Sequence, residues 1–483
     1  MEWISTMACA IFLLLPAGEH GPNPWTERLG PARERVAQTG SVEAFAAALD
    51  AAWRADDWRA GLELALEAQE KHPRDATLPG LVTRALWRAG RIAQAEAMAQ
   101  RISPASEDSV ALGALISIHL ARGEADKADD FAARLERLGP RTASDFAQLV
   151  AVRLHRNRLD GLAAHIEKTQ RLADPSNGYP EYLLRDSLQG VAEFYSRIGT
   201  EPTSRIEKHG RAPLRVLAMI NLPAVDAYLN GKGPYRLIVD TGGSTALSID
   251  TDVAAEIGLN SLADALVHGV SGKDTSGQAL LDHLRLDEIV CRRVPTRIFG
   301  VRAASAGAAD GILGTGVFSE ARFTMNFMEP SLRVAPSSPE PGRGKPVELR
   351  VVGDSKLIAA LELNGEPAVA LFDTGADAVV VSPQRLNELH PQQSTAASVG
   401  AVGLGVGQGA ATTITVAPGV TFTIAGREYR NYSGLGLNML DDLLSPILGI
   451  RVDLLIGMPV FREMRSLTVD LPRSRMWIEW LDS

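Results

Sequence analysis

Cysteine is nearly missing from this 483-residue chain, which has two, Cys9 and Cys291. Two thiols so far apart build no disulfide framework, and neither has the spacing of a zinc site. Basic charge is also short. Forty-nine Lys and Arg face 58 Asp and Glu, a formal charge of −9, so the basic stripe that meets nucleic-acid phosphates is lacking. The nine histidines include no His-Glu-x-x-His pair, and there is no P-loop and no Gly-x-Ser-x-Gly elbow. No metal, cofactor or nucleic acid is therefore expected. Beyond the N-terminus no run is long and apolar enough for a membrane span.

What the chain does have is bulk: 45% of its residues are apolar, and its length predicts roughly three domains. Ala8 to Gly18 is an uncharged, mostly apolar run. Its length suits the apolar region of a secretory signal, with residues 1–20 as the signal peptide, and predicts export to the periplasm or exterior. Glu2 and the lack of Lys or Arg before the run fit a short buried helix instead, which leaves a cytoplasmic location open.

From Ser41 to about Ala173 apolar residues recur at three- and four-residue spacing in an Ala-, Leu-, Arg- and Glu-rich background, the pattern of amphipathic helices. Three stretches align: Arg54 to Ala60, Arg88 to Ala95 and Ala121 to Ala128. Their alanines, Ala60, Ala95 and Ala128, lie 35 and 33 residues apart, and Pro73, Pro104, Pro140 and Pro175 close successive units. This period resembles tetratricopeptide repeats, in which a helix pair buries one face by stacking on its neighbour. The expectation is an all-α repeat domain over 41–200, either a support or a surface for a protein partner.

Beyond Thr203 the texture changes to short β-branched runs broken by Gly, Pro and Asn, a strand-rich signature. Two stretches, Tyr228 to Ile249 and Leu361 to Ser382, each hold an Asn-Gly turn, an apolar strand, Asp-Thr-Gly and a second apolar strand. Downstream, Asp310 to Phe318 (D-G-I-L-G-T-G-V-F) matches Asp453 to Phe461 (D-L-L-I-G-M-P-V-F). Asp240 and Asp373 are 133 positions apart, Gly314 and Gly457 143. The Pro-rich stretch from Pro330 to Pro346 has the composition of a linker.

A single Asp-Thr-Gly says little; two in matched flanks resemble the pepsin and retropepsin family of aspartic proteases. The resemblance covers roughly 215–480 and implies an all-β, bilobal fold. The first lobe would run over 212–334, a linker over 335–346 and the second lobe over 347–483. It implies an aspartic endopeptidase whose Asp240 and Asp373 share a proton, because two carboxylates a few ångströms apart cannot both ionise. Gly242 and Gly375 would allow the tight turn that brings backbone N–H groups to the carboxylates. The resemblance further implies that Thr241 and Thr374 cross-link the loops, and that Gly314 and Gly457 pack behind them. It also implies a glycine-bearing flap in each lobe: Gly269 and Gly272 in the first, Gly403 and Gly405 in the second.

The chain departs from the family in places. Gly243 and Ala376 stand where pepsins have Ser, which predicts an activity optimum less acid than pepsin's. Thr315 and Met458 replace the Arg that follows each glycine in retropepsins, so Asp377 lacks its expected Arg partner. No Tyr occurs in either flap stretch. Asp441-Asp442 reads as a solvated loop and Cys291 as strand packing. Two other functions stay open: a peptide-binding protein on an inactive or weakly active protease fold, and an assembly scaffold acting through the helices.

Overall fold

The computed structural model describes residues 23–188, 190–243, 246–269, 272–353, 355–389, 398–401 and 412–482. The signal-peptide segment 1–20 and the flap glycines Gly403 and Gly405 lie outside the described residues. Two compact units are present. One consists of residues 197–443 with 452–483, and the other of the residues up to Ser196 with 444–451.

The second of these units is helical. Side-chain caps start several helices: Ser41 accepts from Ala44 N–H before Val42–Arg54, and Asp57 from Ala60 N–H before Trp58–Lys71. Thr142 and Asp145 form a capping box at Ala143–His155, so otherwise orphaned first-turn donors are satisfied. Ser109–Ala121 packs against both Pro79–Arg88 before it and Ala143–His155 after it. Close approach sets the residue choice: a Cβ on Gly80 would sit 2.8 Å from Ala111 Cα. Ala60, Ala95 and Ala128 are all buried.

Two features depart from the expected 41–200 boundary. A helix already spans Pro24–Thr39, capped by Asn23. Only Leu29 and Val36 are buried along it, too few to give an apolar period. The segment 444–451 also belongs to this unit. There the Arg451 guanidinium lies 3.8 Å from the Trp58 ring centroid, and Tyr179 Oη donates to Pro446 O at 3.0 Å. Among the described residues no helix is long and apolar enough to cross a membrane.

The other unit is β-rich and holds two sheets with one strand order. In the first, Lys232–Asp240 runs parallel to Gly311–Gly314, which lies antiparallel to Leu247–Ile249. Ile289–Ile298 follows in parallel, then Gly272–Leu286 and Ala263–Gly269 in antiparallel. In the second, Glu366–Phe372 runs parallel to Leu454–Ile456, which lies antiparallel to Val380–Val381. Arg427–Gly436 follows in parallel, then Thr412–Ile424 and Ser398–Ala401 in antiparallel. Both Asn-Gly pairs make two-residue hairpins, Leu229 pairing with Lys232 and Leu363 with Glu366. Asn230, Gly231, Asn364 and Gly365 all have φ between 48° and 83°, as type I′ turns require.

A ladder joins the halves: Ala321–Asn326 pairs antiparallel with Met464–Asp470. The Pro-rich stretch does not hang free beside it. Ser331–Pro336 is a strand of the same ladder, and Ser337 Oγ and Ser338 N–H donate to the buried Asp470 carboxylate at 2.6 and 3.0 Å.

Candidate active site

The two Asp-Thr-Gly triplets follow equivalent strands. Asp240 ends Lys232–Asp240 and pairs with Gly314; Phe372, one before Asp373, pairs with Ile456, one before Gly457. Parallel pairing of two buried apolar strands fixes each triplet against the glycine strand of its own half.

The triplets then meet. Thr241 Oγ1 donates to Phe372 O at 2.9 Å, and Thr374 Oγ1 donates to Val239 O at 2.7 Å. Each hydroxyl also accepts the other threonine's backbone N–H, at 3.1 and 3.0 Å. Gly242 N–H donates to Asp240 Oδ1 and Gly375 N–H to Asp373 Oδ1, both at 2.8 Å. The glycines are required by space. A Cβ on Gly242 would lie 2.4 Å from Asp373 Cγ, and one on Gly375 2.4 Å from Asp240 Cγ. A Cβ on Gly457 would lie 2.0 Å from Ala378 O. Gly314 N–H donates to Ala246 O at 3.0 Å.

Asp240 and Asp373 are both buried, and each carboxyl sits against the glycine of the other triplet. Burial raises the pKa of both. Asp373 goes well above the ordinary carboxyl value, because burial is joined by the charge of Asp240. Asp240 rises too, again through burial, but the neighbouring Asp373 carboxyl, the charge of Lys356 and the Gly242 N–H pull the other way. Among the described residues no donor reaches the buried Asp373 Oδ2. Burial makes it costly to ionise both of two such neighbouring carboxyls.

The expected flap glycines Gly269 and Gly272 pair with each other at the end of the hairpin Ala263–Gly269/Gly272–Leu286. The strands Ser398–Ala401 and Thr412–Ile424 pair likewise in the second half.

Sequence spacing missed three groups that brace this centre. Asp310 Oδ2 accepts from Arg236 N–H and Asp453 Oδ2 from Val369 N–H, both at 2.9 Å. Arg236 and Val369 each stand four residues before a triplet Asp, so these carboxylates pin the strands that carry the dyad. The shared Asp opening both downstream motifs was the signal. Asp377, expected to lack an Arg, has one: Arg462 Nη2 reaches its Oδ1 at 2.6 Å, and Asn221 Nδ2 its Oδ2 at 3.1 Å. The short helix Met458–Phe461 after Gly457 brings round an arginine five residues further on. Lys356, buried at the start of Lys356–Leu363, donates through Nζ to Gly243 O.

Asp441 differs from the solvated loop expected of it, since its carboxylate accepts from Ser382 Oγ at 2.5 Å and Gln384 N–H at 3.2 Å. Cys291 is buried in Ile289–Ile298, and burial pushes its thiol up to about 12. Among the described residues no cluster of His, Cys, Asp and Glu could hold a metal ion.

No curated protein matches the chain. Among solved structures, part of it is similar to a retropepsin-like aspartic protease from Rickettsia conorii. The identity is 15% over 28% of this chain and 89% of that one, with a TM-score of 0.21. Residues 225–317, which contain Asp240, the first hairpin and Gly314, match the family model described as aspartyl protease.

Proposed function

We propose that the β-rich unit is a two-lobed aspartic endopeptidase that hydrolyses peptide or protein substrates with a water activated jointly by Asp240 and Asp373. One observation carries this: two buried carboxyls, one from each half, each set against the glycine of the other triplet, lie inside loops locked together by Thr241 and Thr374. The ionised carboxyl takes a proton from water as its oxygen attacks the scissile carbonyl carbon. The protonated carboxyl gives its proton to the carbonyl oxygen, forming a neutral gem-diol. Collapse returns a proton through the dyad to the leaving nitrogen, breaking the C–N bond and restoring the single shared proton. The glycine N–H groups on Asp240 and Asp373 hold each carboxyl in place while charge moves between them.

The hairpin bearing Gly269 and Gly272 serves as a flap over the substrate, and the paired strands Ser398–Ala401 and Thr412–Ile424 serve the same way in the second half. The helical unit is a tetratricopeptide-like stack offering a surface to a protein partner; the buried alanines at 35- and 33-residue spacing support this. The apolar run from Ala8 to Gly18 supports export.

The test is cleavage of a mixed peptide library between pH 3 and 8 by the wild type, Asp240→Asn and Asp373→Asn. Both variants should be inactive, and cleavage surviving either substitution would refute a shared dyad. A peptide analogue with a hydroxyl at the scissile position, mimicking the tetrahedral intermediate, should inhibit the wild type.

A further inference from the structure

The two β halves repeat each other closely enough that a break in the repeat carries meaning. Ala224 pairs with Ile238, two residues before Asp240, and Ile358 pairs with Leu371, two before Asp373. Two residues upstream of each stand Leu222 and Lys356, in corresponding places. Both are buried, Leu222 at 0% exposure and Lys356 at 4%. The fold thus accepts an apolar chain at this place in one half, yet holds a lysine there in the other. Burying an ammonium is costly unless its charge is used.

The lysine reaches the loop that carries Asp240. Its Nζ donates to Gly243 O, and a Cβ on Gly243 would lie only 3.1 Å from Asp240 Oδ2. The corresponding carbonyl in the second half, Ala376 O, accepts a neutral backbone donor instead, Met458 N–H at 2.8 Å. The residue before the lysine is held as well, since Thr315 Oγ1 donates to Ser355 O at 3.0 Å. One carboxyl of the dyad therefore has a cation against its loop, and the other has an amide.

We infer that Lys356 is a positioning residue that breaks the symmetry of the dyad, fixing Asp240 as the carboxylate and leaving the shared proton on Asp373. The inference rests on the protease reading above and adds which carboxyl is base and which is acid. Asp240 takes the proton from water, and Asp373 protonates the carbonyl oxygen. The electrostatics agree in direction: the positive charge of Lys356 favours the ionised form of Asp240 against the cost of burial. The described carboxylates that brace the centre have partners of their own. Asp377 is bound by Asn221 and Arg462, Asp310 by Arg236 N–H and the Arg302 guanidinium, and Asp453 by Val369 N–H with Arg385 alongside.

The experiment has two arms on the full chain. In the first, aspartate carboxyl carbons are labelled with 13C and titrated by NMR, the two signals being assigned with Asp240→Asn and Asp373→Asn. Asp240 should ionise at the lower pH; the reverse order overturns the inference. In the second, pH profiles of kcat/KM are compared for wild type, Lys356→Leu, Lys356→Gln and Lys356→Arg. Leu copies the first half, and both neutral variants should move each limb upward by about one pH unit, while Arg restores the wild-type profile. Profiles that superimpose, even with a lower rate at every pH, overturn the inference, because a purely structural lysine would produce that. A wild type that cleaves nothing, or cleavage surviving Asp240→Asn, fails the protease reading instead, and the NMR order then decides on Lys356. If neither neutral variant folds, that same order decides.

Discussion

Thr241 and Thr374 hold one another: each side-chain oxygen accepts the other's backbone N–H, at 3.1 and 3.0 Å, while donating its own proton across the pair of loops. Four buried hydrogen bonds thus tie two segments 133 residues apart. Replacing either threonine with Val keeps the shape and removes one hydroxyl. A buried N–H and a buried carbonyl on the opposite loop then lose their partner. Each unsatisfied group costs about 1–3 kcal/mol, so each single variant should lose about 2–4 kcal/mol in urea unfolding. Thr→Ser at the same site should lose much less. Because both hydroxyls serve one network, the double variant should lose less than the two single losses combined. Additive losses would mean that the loops are held independently.

Gly457 and Gly30 make a contrast in the effect of one methyl group. Alanine at 457 would put its Cβ 2.0 Å from Ala378 O and 2.5 Å from Ala376 O, both backbone atoms of the Asp373 loop. Neither can swing aside. Gly457→Ala should therefore cost about 3 kcal/mol or more and abolish cleavage, by displacing the loop rather than by touching its chemistry. Gly30 lies inside Pro24–Thr39, and a methyl group there would meet nothing within 4 Å. Gly30→Ala should stabilise by about 0.5–1 kcal/mol. Thermal unfolding of both variants checks the pair, and a neutral result at 457 would count against the packed loop.

The dyad should make stability fall as pH rises. Burial raises the Asp373 carboxyl well above its ordinary value, so between that value, about 3.9, and the folded one the folded chain keeps a proton that the unfolded chain releases. Ionisation then favours unfolding. The contribution of Asp373 is fully present below about pH 4 and is lost upward with a slope approaching 1.4 kcal/mol per pH unit. Asp373→Asn removes the titration while retaining a side-chain oxygen for Gly375 N–H. The Asn variant should be more stable than wild type at pH 7, with the advantage shrinking toward pH 4. Equal stability at both pH values would mean that Asp373 titrates normally in the folded chain.

The parts of this centre that were legible in the sequence are those that repeat. Asp240, Thr241 and Gly242 recur as Asp373, Thr374 and Gly375 because each half must present the same turn. The Asn-Gly hairpins were legible because a two-residue turn with positive φ narrows the choice of residues. Lys356, Asn221 and Arg462 were not. Lys356 reaches Gly243 across 113 residues and Asn221 reaches Asp377 across 156, so only the fold brings them together. The helix at Pro24–Thr39 was missed for a different reason. Its cap is local, but most of its surface is polar, and periodicity registers burial rather than helicity. Nor could any pattern assign 444–451 to the helical unit, since its cation–π contact with Trp58 spans most of the chain.

The Asp377 cluster gives a pH-resolved prediction. Arg462 Nη2 donates to Asp377 Oδ1 at 2.6 Å and to Asn221 O at 2.9 Å, and Asn221 Nδ2 donates to Asp377 Oδ2 at 3.1 Å. The Asp377 side chain is only 4% exposed, whereas that of Arg462 is 44% exposed. Burial raises the Asp377 pKa despite both partners, so removing the guanidinium should raise it further. The loss in Arg462→Met comes from an ionised, buried carboxylate left with one neutral donor, about 1–3 kcal/mol at pH 7. Below about pH 3 the carboxyl is protonated in both proteins and the difference should shrink toward the packing of the arginine stem. Adding Asp377→Asn to Arg462→Met removes the stranded charge and should recover part of the stability at pH 7. If Arg462→Met is equally destabilised at pH 3 and pH 7, the arginine acts through packing, and the cluster is no ionic clasp between the two β halves.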